Sequence, residues 1–93
     1  MSAPINQAGI CARLTATGDI GPAGKNMILL GFYVNNTSSG TLVLREGGSG
    51  GTVVTGTITP AIGWNQFPAT MRGGAHATIG GTLDVTFFYA EAY

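Results

Sequence analysis

Hydrophobic and polar positions alternate along much of this chain, the pattern of strands with one buried face. The longest apolar run is Met27-Ile28-Leu29-Leu30-Gly31-Phe32-Tyr33-Val34. It is much shorter than the roughly 20 apolar residues that a membrane-crossing helix needs. At period two, Ile28, Leu30, Phe32 and Val34 fall on one face, with Met27, Leu29, Gly31 and Tyr33 on the other. Both faces are apolar, which predicts a strand covered on both sides, by its own fold or by a neighbouring subunit.

Other strands are expected on either side of this run. Ile10, Ala12, Leu14 and Ala16 alternate with Cys11, Arg13, Thr15 and Thr17. Gly18 to Gly24, with three glycines and a proline, reads as the turn that follows. Asn35 to Gly40 reads as a polar loop, and Thr41 to Glu46 as a strand forming a hairpin-like pair with the apolar run. A flexible segment, Gly47 to Gly51, precedes a β-branched strand over Thr52 to Thr59, in which Gly56 marks a bulge or a close backbone contact. Pro60 to Pro68 reads as an irregular connection carrying Trp64 and Phe67, with a short strand over Thr70 to Arg72. Ala75, Ala77 and Ile79 alternate in a strand that stops at Gly80-Gly81. Leu83, Val85, Phe87 and Tyr89 line one face of the last strand, with Asp84, Thr86, Phe88 and Ala90 on the other.

No window carries helical periodicity. About seven short strands between turn signals predict an all-β fold, an antiparallel β-sandwich of jelly-roll-like topology, with a barrel as the alternative closure. Residues 1–8 read as an N-terminal arm and residues 9–93 as a single domain, with no signal-peptide pattern at the start.

Composition sharpens this picture. Charged residues are 9% of the chain and the net charge is zero, against about 25% charged in an ordinary globular domain. Arg13, Lys25, Arg45 and Arg72 are too few and too scattered to neutralise a run of phosphates, which excludes nucleic acid as a partner. Low charge with positive mean hydropathy predicts an assembly that buries much of the surface, hence a homo-oligomer. The single cysteine, Cys11, allows no internal disulfide and suits synthesis in a reducing cytoplasm.

Candidate chemistry is sparse. Cys11 and His76 are single representatives of their kinds on different expected strands, so a nucleophile–base pair would have to form by coincidence. Asp19, Asp84 and Glu91 lack metal-ligand spacing, and no metal or cofactor is expected. Gly18 to Lys25 resembles a phosphate-binding loop but has five residues between Gly18 and Gly24 and Asn26 where Ser or Thr would hold magnesium. Asn35-Asn36-Thr37 and Asn36-Thr37-Ser38 match the glycosylation pattern without a leader to bring them to it. These features point away from an enzyme. Trp64, beside Asn65 and Gln66, could stack on a sugar ring; the favoured reading makes Trp64 and Phe67 a plug at the end of the sandwich or an anchor at a subunit contact. Arg72 is a solvated arginine or an interfacial ion-pair partner.

The segment Gly40-Thr41-Leu42-Val43-Leu44-Arg45 with its glycine-rich loop and Thr/Val strand, then Gly74-Ala75-His76-Ala77-Thr78-Ile79 and Val85-Thr86-Phe87-Phe88-Tyr89-Ala90, resembles small bacteriophage virion proteins. The likeness spans about residues 26–90 and is to β-sandwich decoration (cement) proteins on the outside of tailed-phage heads, and to related spike and fibre modules. It implies a homotrimer on the capsid exterior, made in the host cytoplasm, that binds the assembled major capsid protein and stabilises the shell, with no membrane involved. Leu29, Tyr33, Val43 and Phe88 would form subunit contacts, and the arm from Ser2 to Ala8 would order itself on the shell or on a neighbouring subunit. The alternative implied is a tail, fibre or spike component that adsorbs to a glycan.

Overall fold

The computed structural model describes residues 10–91, and the expected N-terminal arm lies outside them. Six strands follow in chain order: β1 (Ile10–Leu14), β2 (Gly18–Ile20), β3 (Met27–Glu46), β4 (Thr52–Val53), β5 (Gly63–Met71) and β6 (Ala75–Glu91). All pairings are antiparallel, and the described residues contain no helix.

The scaffold is a two-stranded ribbon of β3 and β6, paired from Met27–Glu91 to Glu46–Ala75. The polar stretch Asn35 to Gly40 is therefore strand, contrary to the loop expected from its composition, and Gly80-Gly81 lies inside β6 instead of ending it. The apolar run and Thr41–Glu46 are two halves of one strand, each paired with β6, and form no hairpin with each other. Backbone pairing outweighs turn propensity here because the Asn, Thr and Ser side chains can point to solvent while their backbone stays bonded.

This ribbon bends back on itself. Twenty residues of straight strand would span roughly 65 Å, yet the longest dimension of the molecule is 43 Å. Met71 pairs with Met27 at one end of β3, and Ala75 pairs with Glu46 at the other. Arg72, Gly73 and Gly74 join those two positions, a reach of at most about 14 Å. The two ends of β3 must therefore lie close together. A carboxylate oxygen of Glu46 accepts from the Arg72 backbone N–H at 2.7 Å and seals that closure.

Bending divides the sheet into two layers. Layer A holds β1, the second half of β6, the first half of β3 and β5; layer B holds β2, the remaining halves of β6 and β3, and β4. The arrangement is an all-β antiparallel fold compatible with a sandwich. The expected strand over Thr52 to Thr59 reduces to β4, followed by backbone bonds from Ile58 to Leu42. The connection expected over Pro60 to Pro68 is largely replaced by β5, and the turn expected at Gly18 contains β2.

The core lies between the layers. On β6, the odd-numbered Ala75, Ala77, Leu83, Val85, Phe87 and Tyr89 are buried, and Ile79 packs against them. On β3 the phase slips: Met27 and Leu29 are buried, then Phe32 and Val34, then Leu42 and Leu44. Irregularities at Leu29/Gly31, Val34/Asn36 and Ser38/Ser39 account for this, and they explain why β3 has 20 residues against 17 in β6. Each bulge adds a residue and increases local twist and bend, so the longer strand can wrap around the shorter one while the inward positions stay opposite each other.

Candidate functional site

Layer A turns an aromatic face to solvent. Alternation along β5 sends Trp64, Gln66, Pro68 and Thr70 outward, while Phe67 and Ala69 pack against the core. Trp64 pairs with Tyr33, Tyr33 with Thr86, and Thr86 with Arg13, so these residues form one row across four strands. The next row is Gln66, Gly31, Phe88 and Cys11.

Gly31 is the reason the rows interlock. A Cβ at this position would lie 2.6 Å from Trp64 Cη2 and 2.7 Å from the Asn65 carbonyl oxygen. Its absence lets the indole lean over β3 and meet Phe88 on the far side, with ring centroids 5.5 Å apart and planes at 70°. This is a favourable edge-to-face pair. Trp64 is thus held in position and remains 52% exposed, with Tyr33 beside it at 44%.

A polar cluster borders the aromatics. Arg13 donates from Nε and Nη2 to the two Asp84 carboxylate oxygens at 2.8 and 2.6 Å. Asn35 Nδ2 donates to Asp84 Oδ1 at 3.2 Å and to Thr86 Oγ1 at 3.0 Å. The hydrogen bonds from Arg13 hold the Asp84 carboxyl below its ordinary value; partial desolvation works against them, and Asn35 reinforces them. The same bonds raise Arg13.

The expected contact residues are dispersed by the fold. Tyr33, Phe88 and Trp64 come together on the outward face. Leu29 does not: the bulge after it puts its side chain fully in the core, so the expectation that it faces a neighbouring subunit gives way. Val43 is half-buried in layer B, opposite Thr78, away from the aromatic row. Phe67 packs against the core while Trp64 points outward, so the two do not form a common plug. Asn65 donates to the Gly63 carbonyl at 3.2 Å and pairs with buried Phe32, which leaves Gln66 as the amide on the Trp64 side.

The single thiol and the single imidazole stay apart. Cys11 is exposed opposite Phe88 in layer A. His76 is 6% exposed in layer B, between Asp19 on β2 and Arg45 on β3. Its Nδ1 lies 2.9 Å from Asp19 Oδ1. A carboxylate that orients an imidazole is half of a catalytic arrangement, but no nucleophile joins it among the recorded hydrogen bonds of the described residues. No group of three or more His, Cys, Asp or Glu among the described residues is placed to hold a metal ion.

Exposed apolar side chains follow a spatial bias. Ile28, Tyr33, Val53, Val54, Ile62 and Trp64 all lie on β3, β4, β5 or the β4–β5 connection; Ile10 alone lies on the opposite edge. The segment from Gly47 to Met71 contains no charged residue. Searches of protein-family models and of curated proteins gave no match for this chain.

Proposed function

We propose that this protein is a non-enzymatic virion structural protein, a capsid decoration or cement protein that binds the assembled head from outside and stabilises it. The observation that carries the reading is the outward aromatic face of layer A, where Trp64 and Tyr33 stay about half exposed although packing holds Trp64 in place. Aromatics fixed before contact lose little conformational freedom on binding, which suits an interface. The scarcity of charge supports the same reading, since a shell-bound protein buries surface that a free protein would keep charged. Binding to the assembled shell alone would stabilise it by mass action. The partners in this reading are the major capsid protein and further copies of the chain in a homotrimer.

Counting the polypeptide by mass spectrometry in purified particles, relative to the major shell protein, tests this reading. A ratio near parity is expected. A few copies per particle would move the protein to the tail or a fibre, and absence from particles would overturn the virion assignment.

One observation favours a second reading, glycan adsorption by a tail or fibre component. Trp64 is a half-exposed, positioned ring with Gln66 in the adjoining outward row, an apolar surface beside a hydrogen-bonding amide. In that case Trp64→Ala abolishes adsorption to cells and leaves the oligomer intact. Normal adsorption by the variant would remove this reading.

A further inference from the structure

Among the described residues, layer A ends in two strand edges. On one side is β5, nine residues whose strand partner there is β3. On the other is β1, five residues whose strand partner there is β6. An unpaired edge exposes a row of backbone donors and acceptors, and soluble proteins blunt such edges with charge, proline, bulges or a cover. β5 carries no charge, and its proline and bulge are confined to Phe67 and Pro68, which leaves Gly63 to Gln66 without such a device. The only charge on β1 is Arg13, which is engaged by Asp84 of its own sheet and turned along it.

We propose that the β5 edge of one copy pairs with the β1 edge of the next, so that layer A continues from subunit to subunit in a closed ring. Strand direction alternates across β1, β6, β3 and β5, so β1 of the next copy enters antiparallel to β5 and keeps the alternation. Charge identifies the occupant. An edge with no charge of its own fits another edge whose one charge is already neutralised, and of the two edges of layer A those are β5 and β1. Head-to-tail pairing also accounts for the exposed side chains at both edges, since Ile62 precedes β5 and Ile10 opens β1. A two-fold β5–β5 contact would leave Ile10 and the whole β1 edge uncovered. Heterologous contacts close into rings when the rotation allows, and a ring leaves layer A with no edge at all.

This contact deepens the structural reading above and can be tested without particles. Native Cys11 lies on β1 with its side chain on the outward face, the same face as Gln66 and Thr70 of β5. Wild type, with one thiol, can form covalent dimers at most. Gln66→Cys or Thr70→Cys adds a second thiol on the opposite edge, so oxidation of a head-to-tail ring gives covalent species larger than a dimer. The inward variant Ala69→Cys does not. Sedimentation of wild type should give a mass of several subunits, reduced to one subunit by Gln66→Lys, an exposed site where the fold is kept and checked by circular dichroism. A monomeric wild type would overturn the proposal. So would crosslinking that stops at dimers in both outward variants of an oligomeric protein. A monomer found near parity with the shell protein in particles would remove the ring and leave the decoration reading standing.

Discussion

Trp64 and Phe88 touch edge to face across a strand that lies between them, 5.5 Å from centroid to centroid, because residue 31 of that strand is glycine. The contact fixes an exposed ring without burying it. That distinguishes it from a stray exposed aromatic, whose ring is free to turn.

Gly31→Ala should therefore disturb the face before it disturbs the core. The new methyl meets both the indole and the Asn65 carbonyl, and the backbone oxygen cannot swing away. Overpacking of this kind costs about 1–3 kcal/mol. Denaturant unfolding followed by Trp64 emission checks it: a lower midpoint and altered native emission are expected, and no change in either would show that the close approach is unimportant.

Phe87 and Phe88 are neighbours with opposite roles. Phe87 is fully buried, 5.7 Å from Phe32 between ring centroids, and its truncation to alanine should cost ~3–5 kcal/mol. Phe88 braces Trp64 on the outside, and Phe88→Ala should cost about 1 kcal/mol. Comparable losses in equilibrium unfolding would mean that the inside–outside assignment of β6 is wrong.

Leu30 is the extra residue of the first bulge. Deleting it brings Leu29 next to Gly31 in regular alternation, so Met27 and Leu29 keep their inward phase and their β6 partners, while β5 is left with Phe67 and Pro68 facing no residue of β3. Hydrogen exchange should show protection kept over Met27–Leu29 and lost over the neighbouring β5 residues; lost protection over Met27–Leu29 would refute the inward phase assigned to them.

The Arg13–Asp84 pair sets an acid-side dependence. Asp84 has a folded pKa below its unfolded value of about 3.9, so its contribution is complete above that value and disappears as pH falls through the lower folded one. Asp84→Asn should flatten stability against pH in that acid window and leave the profile near neutrality parallel to wild type. Salt should weaken the effect in the native protein because the pair is exposed. An unaltered acid limb in Asp84→Asn would assign the dependence to other carboxyls.

The inward face of β6 was readable from sequence but its continuity was not: Ala75, Ala77 and Ile79 are in phase with Leu83 and Tyr89, yet Gly80-Gly81 read as a stop between two strands. The inward face of β3 was not readable, since three inserted residues defeat a period of two. Leu29 was assigned to the wrong role for that reason, and Asn35 to Gly40 looked like a loop because composition of this kind reports solvent exposure, not backbone pairing. In the site, Tyr33 and Phe88 could be picked out as apolar residues on second faces. Their meeting with Trp64 could not, because it depends on which strands are neighbours. The signal available was Gly31, a missing side chain in the middle of the most apolar run. The Asp19–His76 and Arg13–Asp84 pairs likewise join residues far apart in the chain and follow no local spacing.

The full-length ribbon of β3 and β6 has a consequence for how the molecule comes into being. β6 is central in the sheet and is also the last of the six strands to leave the ribosome. Until it emerges, β1 and β2 have no strand to bond to and β3 lacks its main partner, so no half of the core can form early. Loop closure costs least at the Glu46–Ala75 end, where the two strands are nearest in sequence, and most at Met27–Glu91. The chain must therefore complete itself before layer A has finished edges at all.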